Sequence, residues 1–304
     1  MRLAVLLTIS LICTLSAQEI NPTQNSQEIT EGESTPLYKV NVVARTTKAL
    51  NYGHRSAPTK LDFGGTILLP DSKGKAWIES KKGAVKVRGN FKNLTPPHRF
   101  GRQYLTYVLW AITPQGRATN LGEIVTNGDD NGKLETATEL QTFALIVTAE
   151  PYYAVTQPSD VVVMENIVRA DTVGRIQSVD VKYELLQRGE YHFDLADTAQ
   201  REINPAPKVS QGEYEALLAL YEARNAVQFA KVQGASEYAR ETLDKAEAGL
   251  ARAEQQYSQT PKAKLVVTLA REATQVAEDA RLIALRKKKA AENAQAGRDE
   301  AAAL

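Results

Sequence analysis

Residues 104–165 read YLTYVLWAITPQGRATNLGEIVTNGDDNGKLETATELQTFALIVTAEPYYAVTQPSDVVVME. Apolar runs of strand length are cut at short intervals by Pro114–Gly116, Asn127–Gly132, Pro151 and Pro158. That punctuation is the pattern of a compact antiparallel β-domain. Within it, Tyr104–Ile112 has almost no polar face, as a central strand requires. Tyr104, Tyr107 and Trp110 are therefore expected in the core.

Working outward, 37–168 forms one β-domain. Further strands are expected at Tyr38–Thr47, Gly65–Leu69, Lys75–Ile78, Ala84–Phe91, Asn120–Thr126, Lys133–Thr136, Gln141–Ala149 and Asp160–Ile167, with a loop at Asn51–Lys60. Two sheets packed face to face would bury the aromatics between them. A connector follows over 169–209. Its Val179–Leu186 is a further candidate strand, and Asn204–Pro207 blocks helix at its exit.

Tyr107, Trp110, Ile112, Pro114, Gly116, Leu121 and Gly122, then a Gly/Asp turn, Phe143–Val147, Glu150-Pro151 and Pro158 make a longer string. With the lead-in Gly83–Leu94 and Pro96-Pro97, it resembles the extracytoplasmic domain of anti-sigma-K factors. The resemblance covers roughly half of the β-domain and implies an Ig-like β-sandwich without enzymatic activity. Anti-sigma factors place a sigma-binding domain and a membrane helix before the sandwich, whereas a leader precedes it here. Sigma-factor inhibition is therefore not carried over.

Residues 210–304 change to Ala, Glu, Lys, Arg and Gln, with Pro261 as the sole proline. A first helix carries Tyr214, Leu217, Leu218, Tyr221, Asn225, Phe229 and Val232 at three- and four-residue steps and stops at Gly234. Ser236 is the expected cap of a second helix with Leu243, Ala246, Leu250, Ala253 and Tyr257. Thr260-Pro261 is expected to cap a third, with Val266, Leu269, Ala273, Val276, Ala280 and Ile283. Three antiparallel helices would bury these stripes as an Ala-rich bundle with coiled-coil-like packing. After Leu285 the stripe ends, so the last helix should project, pair with another chain or lead to a further domain. Ala226–Ala280 is similar to an Ala-rich helical domain of unknown function found upstream of OmpA-like domains in bacterial envelope proteins. That similarity implies an envelope setting, although the peptidoglycan-binding OmpA-like module itself is absent from this sequence.

The 304 residues carry a formal net charge of +1. No bulk field argues for nucleic acid. Met1–Ala17 reads as a secretory signal peptide: Arg2, an apolar Leu3–Leu15 and a small residue at Ala17. The polar stretch 18–36 reads as a flexible leader. Cys13, the one cysteine, lies inside the signal and follows Ile12, where a lipidated cysteine follows a small residue. The mature chain is thus expected to lack thiols, and no later run has transmembrane length.

No catalytic set emerges, so the expectation is a protein that is not an enzyme and needs no cofactor. Asn127–Gly132 begins like a calcium loop, but its twelfth position is Thr138 where a bidentate Glu is needed, so a plain turn is preferred. His54, His98 and His192 lack metal-ligand spacing. Asp62, Glu150, Asp160 and Glu165 are the carboxylates available for acid–base pairing. Tyr152 and Tyr153, after Pro151, are the candidate exposed platform for a sugar, and Arg286, Lys287, Lys288 and Lys289 form a basic run for an anionic surface. Together these features indicate an exported periplasmic or outer-membrane-associated envelope protein. Its partner would be an envelope protein, a second copy bound through the last helix, or peptidoglycan or another polysaccharide. The alternative roles are a cell-wall polysaccharide-binding module or an envelope-stress sensing component.

Overall fold

Every residue of strand β5 (Thr106–Ile112) is buried, as a continuous apolar run held between two neighbours requires. β5 pairs antiparallel with β6 (Ala118–Glu123) on one edge and β9 (Thr142–Glu150) on the other. From β9 the ladder continues through β10 (Val162–Ile167), β2 (Thr59–Gly65), β3 (Lys73–Lys81), β4 (Ala84–Lys92) and β8 (Gly132–Thr138) to the short β7 (Val125–Thr126). Only Ile124 separates β6 from β7, and its N–H donates to the Tyr107 carbonyl. The antiparallel sheet thereby curls back almost to its start and is nearly a barrel. The computed structural model describes residues 43–52, 57–81, 83–126, 130–167, 179–185, 210–262 and 264–303. The expected signal peptide and leader and most of the expected connector lie outside them.

A branch leaves this ring at β9. β1 (Val43–Asn51) pairs with β9 through Leu50–Phe143 and Asn51–Thr142, and β11 (Val179–Leu185) pairs along Val43–Ala49. Where β10 and β1 both approach β9, Asn166 fills the gap in the ladder. Its Oδ1 accepts from the Leu145 N–H at 2.8 Å and its Nδ2 donates to the Lys48 carbonyl at 3.2 Å. A side-chain amide carries one acceptor and one donor group, so it can stand in for a peptide there.

The expected strand Gly65–Leu69 is instead the end of β2 and a turn. Leu69 N–H donates to the Thr66 carbonyl, and both the N–H and the hydroxyl of Ser72 donate to the Leu69 carbonyl. A Cβ on Gly65 would stand 1.9 Å from the Leu69 carbonyl oxygen, so the chain can close here only without a side chain. The strand itself begins earlier, at Thr59, within the expected loop.

The C-terminal part is helical: α1 (Gln211–Val232), the single turn α2 (Ala235–Tyr238), α3 (Arg240–Gln259) and α4 (Lys264–Ala303). Gly234 supplies the left-handed break after α1, at φ 92°. Neither expected cap holds. Ser236 lies inside α2, and Thr260 ends α3 while α4 starts only at Lys264. The buried face of α1 follows the expected stripe at Phe229 but otherwise departs from it. Ala216, Ala219, Ala223, Ala226 and Ala230 are buried, whereas Tyr214 and Val232 are exposed. Small residues permit close approach, and a Cβ on Gly249 of α3 would lie 3.2 Å from the Ala273 Cβ of α4.

Sheet and helices belong to one compact unit, 40–304. Ala226, Phe229, Leu243 and Ala277 join the same apolar core as Trp110 and Phe143. The helices cover the end of the sheet where β5 begins and β6 and β9 finish. Asn225 of α1 marks the seam, its Nδ2 donating to the carbonyls of Gln103 and Pro151. No helix among the described residues is long and apolar enough to cross a membrane.

Candidate functional site

A cavity of about 290 Å³ lies where the start of β5 and the β6–β7 bend face α1 and α4. Its walls include Leu105, Tyr107, Val125, Leu218 and Val267, with Tyr214 half exposed beside it. Glu123 from the last position of β6, Arg271 from α4 and Glu222 from α1 meet in this apolar setting, with Glu215 also on the lining.

Glu123 is satisfied. Its Oε1 accepts from the Thr106 hydroxyl at 2.7 Å, and its Oε2 is ion-paired with Arg271. Arg271 is held from a second direction, with its guanidinium 4.5 Å from the centre of the Tyr153 ring. The Tyr153 hydroxyl donates to the Arg271 carbonyl at 2.9 Å. Burial pushes the Tyr153 phenol up to about 12.

Glu222 differs. It sits between Ala219, Ala223 and Ala226 on the buried face of α1, at the helical spacing that places it among them. It is 1 % exposed, and both carboxyl oxygens are buried. The Glu123 side chain and the Tyr153 backbone are its hydrogen-bonding neighbours. Burial, and then the negative charge of Glu123, push its carboxyl well above the usual range, and Arg271 offsets this only in part. Burial beside Glu123 therefore favours the protonated form of Glu222.

A second polar group fastens α4 to the loop after β9. Arg281 grips Glu278 through Nε and Nη2, each at 2.7 Å. Glu278 also accepts from the Tyr152 hydroxyl at 2.8 Å, and from the Thr156 N–H and hydroxyl at 3.1 and 2.7 Å. Arg281 stands 5.3 Å from the Phe229 ring centre. Every charge here is matched, so this is a clasp and not a vacant receptor. Burial pushes the Tyr152 phenol well above its usual value, and the Glu278 charge adds to it.

These contacts correct the tyrosine platform. Tyr152 is wholly buried, and the ring of Tyr153 is covered by Arg271. A loop after a proline suggests solvent, but α1 and α4 return to cover it. Arg286, Lys287, Lys288 and Lys289 lie on α4 just past its last buried residue, Ala284, with all but Lys288 exposed. Glu150 is buried among strand residues. Its Oε1 accepts from the Thr148 hydroxyl and from the Ser159 N–H, while Thr148 receives the Trp110 indole N–H at 2.8 Å. His98 is exposed in the 3₁₀ turn Pro97–Phe100, whereas His54 and His192 lie outside the described residues. Part of the Asn127–Gly132 turn does too, although Asp130 adopts φ 54°. Among the described residues no group of His, Cys, Asp and Glu is placed to hold a metal.

The cavity's acids were not singled out from the sequence. The available signal was one glutamate on an alanine face at helical spacing. No family model, curated protein or solved structure matches the chain.

Proposed function

We propose that this is an exported, non-enzymatic protein of the bacterial cell envelope that works by assembly, in the periplasm or at the outer membrane. In this reading the β-domain is an Ig-like sandwich module, opposite walls of the curled sheet acting as its two layers. The helices form a bundle that ends in an arm. The observation that carries the reading is the distal part of α4, which stays helical while residues 289–302 are exposed. At 1.5 Å per residue the stretch after Leu285 reaches about 27 Å.

The arm's charges are segregated. Arg286–Lys289 are basic, and Glu292, Asp299 and Glu300, with Arg298 among them, leave the stretch further along net acidic. Two arms laid antiparallel would set the basic run of one against the acidic end of the other. A second copy of this chain is therefore the proposed occupant, and peptidoglycan organisation the proposed setting.

Light scattering of the mature chain, beside a version stopped at Leu285, tests this. The long form should be a dimer that weakens in salt, and the short form a monomer. Monomers in both cases would refute the arm's role. The buried positions of α4 all precede residue 285, so the short form keeps the core.

A further inference from the structure

We infer that the outer face of β3, β4 and β8 is a binding site for an acidic polysaccharide, a chain of sugars that carry carboxylates. The inference does not rest on the arm, because the last of these strands ends at Thr138.

A surface hollow of about 470 Å³ lies on this face. Gly89 and Leu134, paired across β4 and β8, make its floor. The flanking pairs make its corners, Arg88 opposite Glu135 and Asn90 opposite Lys133. Trp77 of β3, opposite Arg88, closes one side. Strand alternation explains the arrangement. Ala76, Ile78, Val87 and Phe91 turn into the core, so Trp77, Arg88 and Asn90 turn out. The protein has two tryptophans. Trp110 is buried and its N–H donates to Thr148. Trp77 is only half-buried, among polar side chains. Tryptophan beside arginine is the composition of an interface centre.

The charge on this face is unbalanced. Ion pairs join Lys86 to Glu135 and Arg88 to Glu79. That leaves Lys60, Lys73, Lys75, Lys92 and Lys133, all exposed, against Asp62 on the same side of β2, β3, β4 and β8. Lys73 and Lys92 stand directly opposite each other across the ladder. Like charges in that register destabilise a sheet, and an anion laid across them relieves the repulsion. From the hollow the basic track runs toward the start of β3, through Lys75 to Lys73 and Lys92, at steps of about 7 Å along each strand.

The mixture of groups points to the partner. A sugar ring offers an apolar C–H face that lies flat on an indole, and hydroxyls that both donate and accept. Arg88 and Lys133 donate, Glu135 accepts, and the Asn90 amide does both. A phosphate backbone or an anionic lipid surface uses donors alone and meets the Glu135 carboxylate at the rim. A neutral sugar leaves the lysine track unanswered. A chain of acidic sugars uses both parts, with one ring in the hollow against Trp77 and the carboxylates that follow it on Lys75, Lys73 and Lys92.

Affinity electrophoresis of the mature chain through gels containing polygalacturonate, dextran or poly-L-glutamate separates sugar recognition from charge. The expected result is that polygalacturonate binds about tenfold or more tighter than either of the others. Trp77→Ala should weaken it about tenfold, and Trp77→Phe should keep most of the affinity. Lys75 and Lys133 are exposed, so Lys75→Gln with Lys133→Gln keeps the fold. That pair should weaken binding and flatten its dependence on salt. No retardation by polygalacturonate, equal retardation by poly-L-glutamate, or unchanged binding in Trp77→Ala would each overturn the inference. So would tighter binding of single-stranded DNA or of anionic phospholipid vesicles. The form stopped at Leu285 lacks Arg286–Lys289 and should still prefer polygalacturonate over dextran. Loss of that preference would place the binding on the arm and overturn the site. Its retention in both forms upholds the site whatever their oligomeric state, so this result and the assembly reading fail separately.

Discussion

The Tyr152 hydroxyl donates to Glu278 Oε2 at 2.8 Å across 126 residues of sequence, and both residues are wholly buried. A loop of the β-domain is thereby tied to the middle of the last helix. Tyr152→Phe removes the donor but leaves Glu278 its bonds to Arg281 and Thr156. The expected loss is about 1–2 kcal/mol, since hydrogen bonds to charged groups are stronger than neutral ones. Urea denaturation followed by circular dichroism reads it. An unchanged midpoint would show that the hydroxyl does not hold the helix to the sheet.

Removing Arg281 should cost more. Arg281→Met leaves Glu278 buried without its counter-ion, and breaking a buried pair from one side costs about 3–5 kcal/mol. Arg281→Met with Glu278→Leu removes both charges and should recover most of that loss. If the double variant is no more stable than the single one, the clasp adds net stability beyond mutual neutralisation, contrary to expectation.

The sheet was legible where the chain is most apolar. Tyr104, Tyr107 and Trp110 are buried as expected, because a strand without a polar face has no solvated side. The helix break at Gly234 was legible for the same local reason, a backbone that only glycine adopts easily. Positions set by docking were not. Glu222, Glu278 and Arg281 look like ordinary surface charges in an Ala- and Glu-rich stretch, and only the approach of the β-domain buries them. Tyr152 follows the same rule from the other side. α1 buries its alanines together with Leu220, Val227 and Phe229, and leaves Tyr214 at the rim.

Asn166 should prove more important than an edge asparagine. It satisfies the Leu145 N–H and the Lys48 carbonyl where two strands compete for β9. Asn166→Ala leaves the buried Leu145 N–H without an acceptor, for a loss of about 1–3 kcal/mol. Hydrogen exchange at Leu145 is the specific readout. Protection of that amide should fall, while amides at the centre of β5 should follow only the global loss. Equal change at both places would count against a local role.

The Glu222 carboxyl sets the direction of a pH effect. It is raised well above the ordinary value of 4.5, first by burial and next by Glu123. Below the ordinary carboxylate range both folded and unfolded chains hold this proton, and its full contribution to stability is present. As pH rises past that range the unfolded chain releases the proton while the folded chain keeps it. The folded state then binds more protons, so stability falls with pH until the folded group itself ionises. The slope approaches about 1.4 kcal/mol per pH unit. Glu123, Arg271, Tyr153 and Tyr214 face the same space in both wild type and Glu222→Gln, so subtracting one stability curve from the other isolates Glu222. As pH rises above the ordinary carboxylate range the wild type should lose stability relative to Glu222→Gln. Parallel curves would mean that Glu222 titrates as a solvated acid and that the cavity does not hold it neutral.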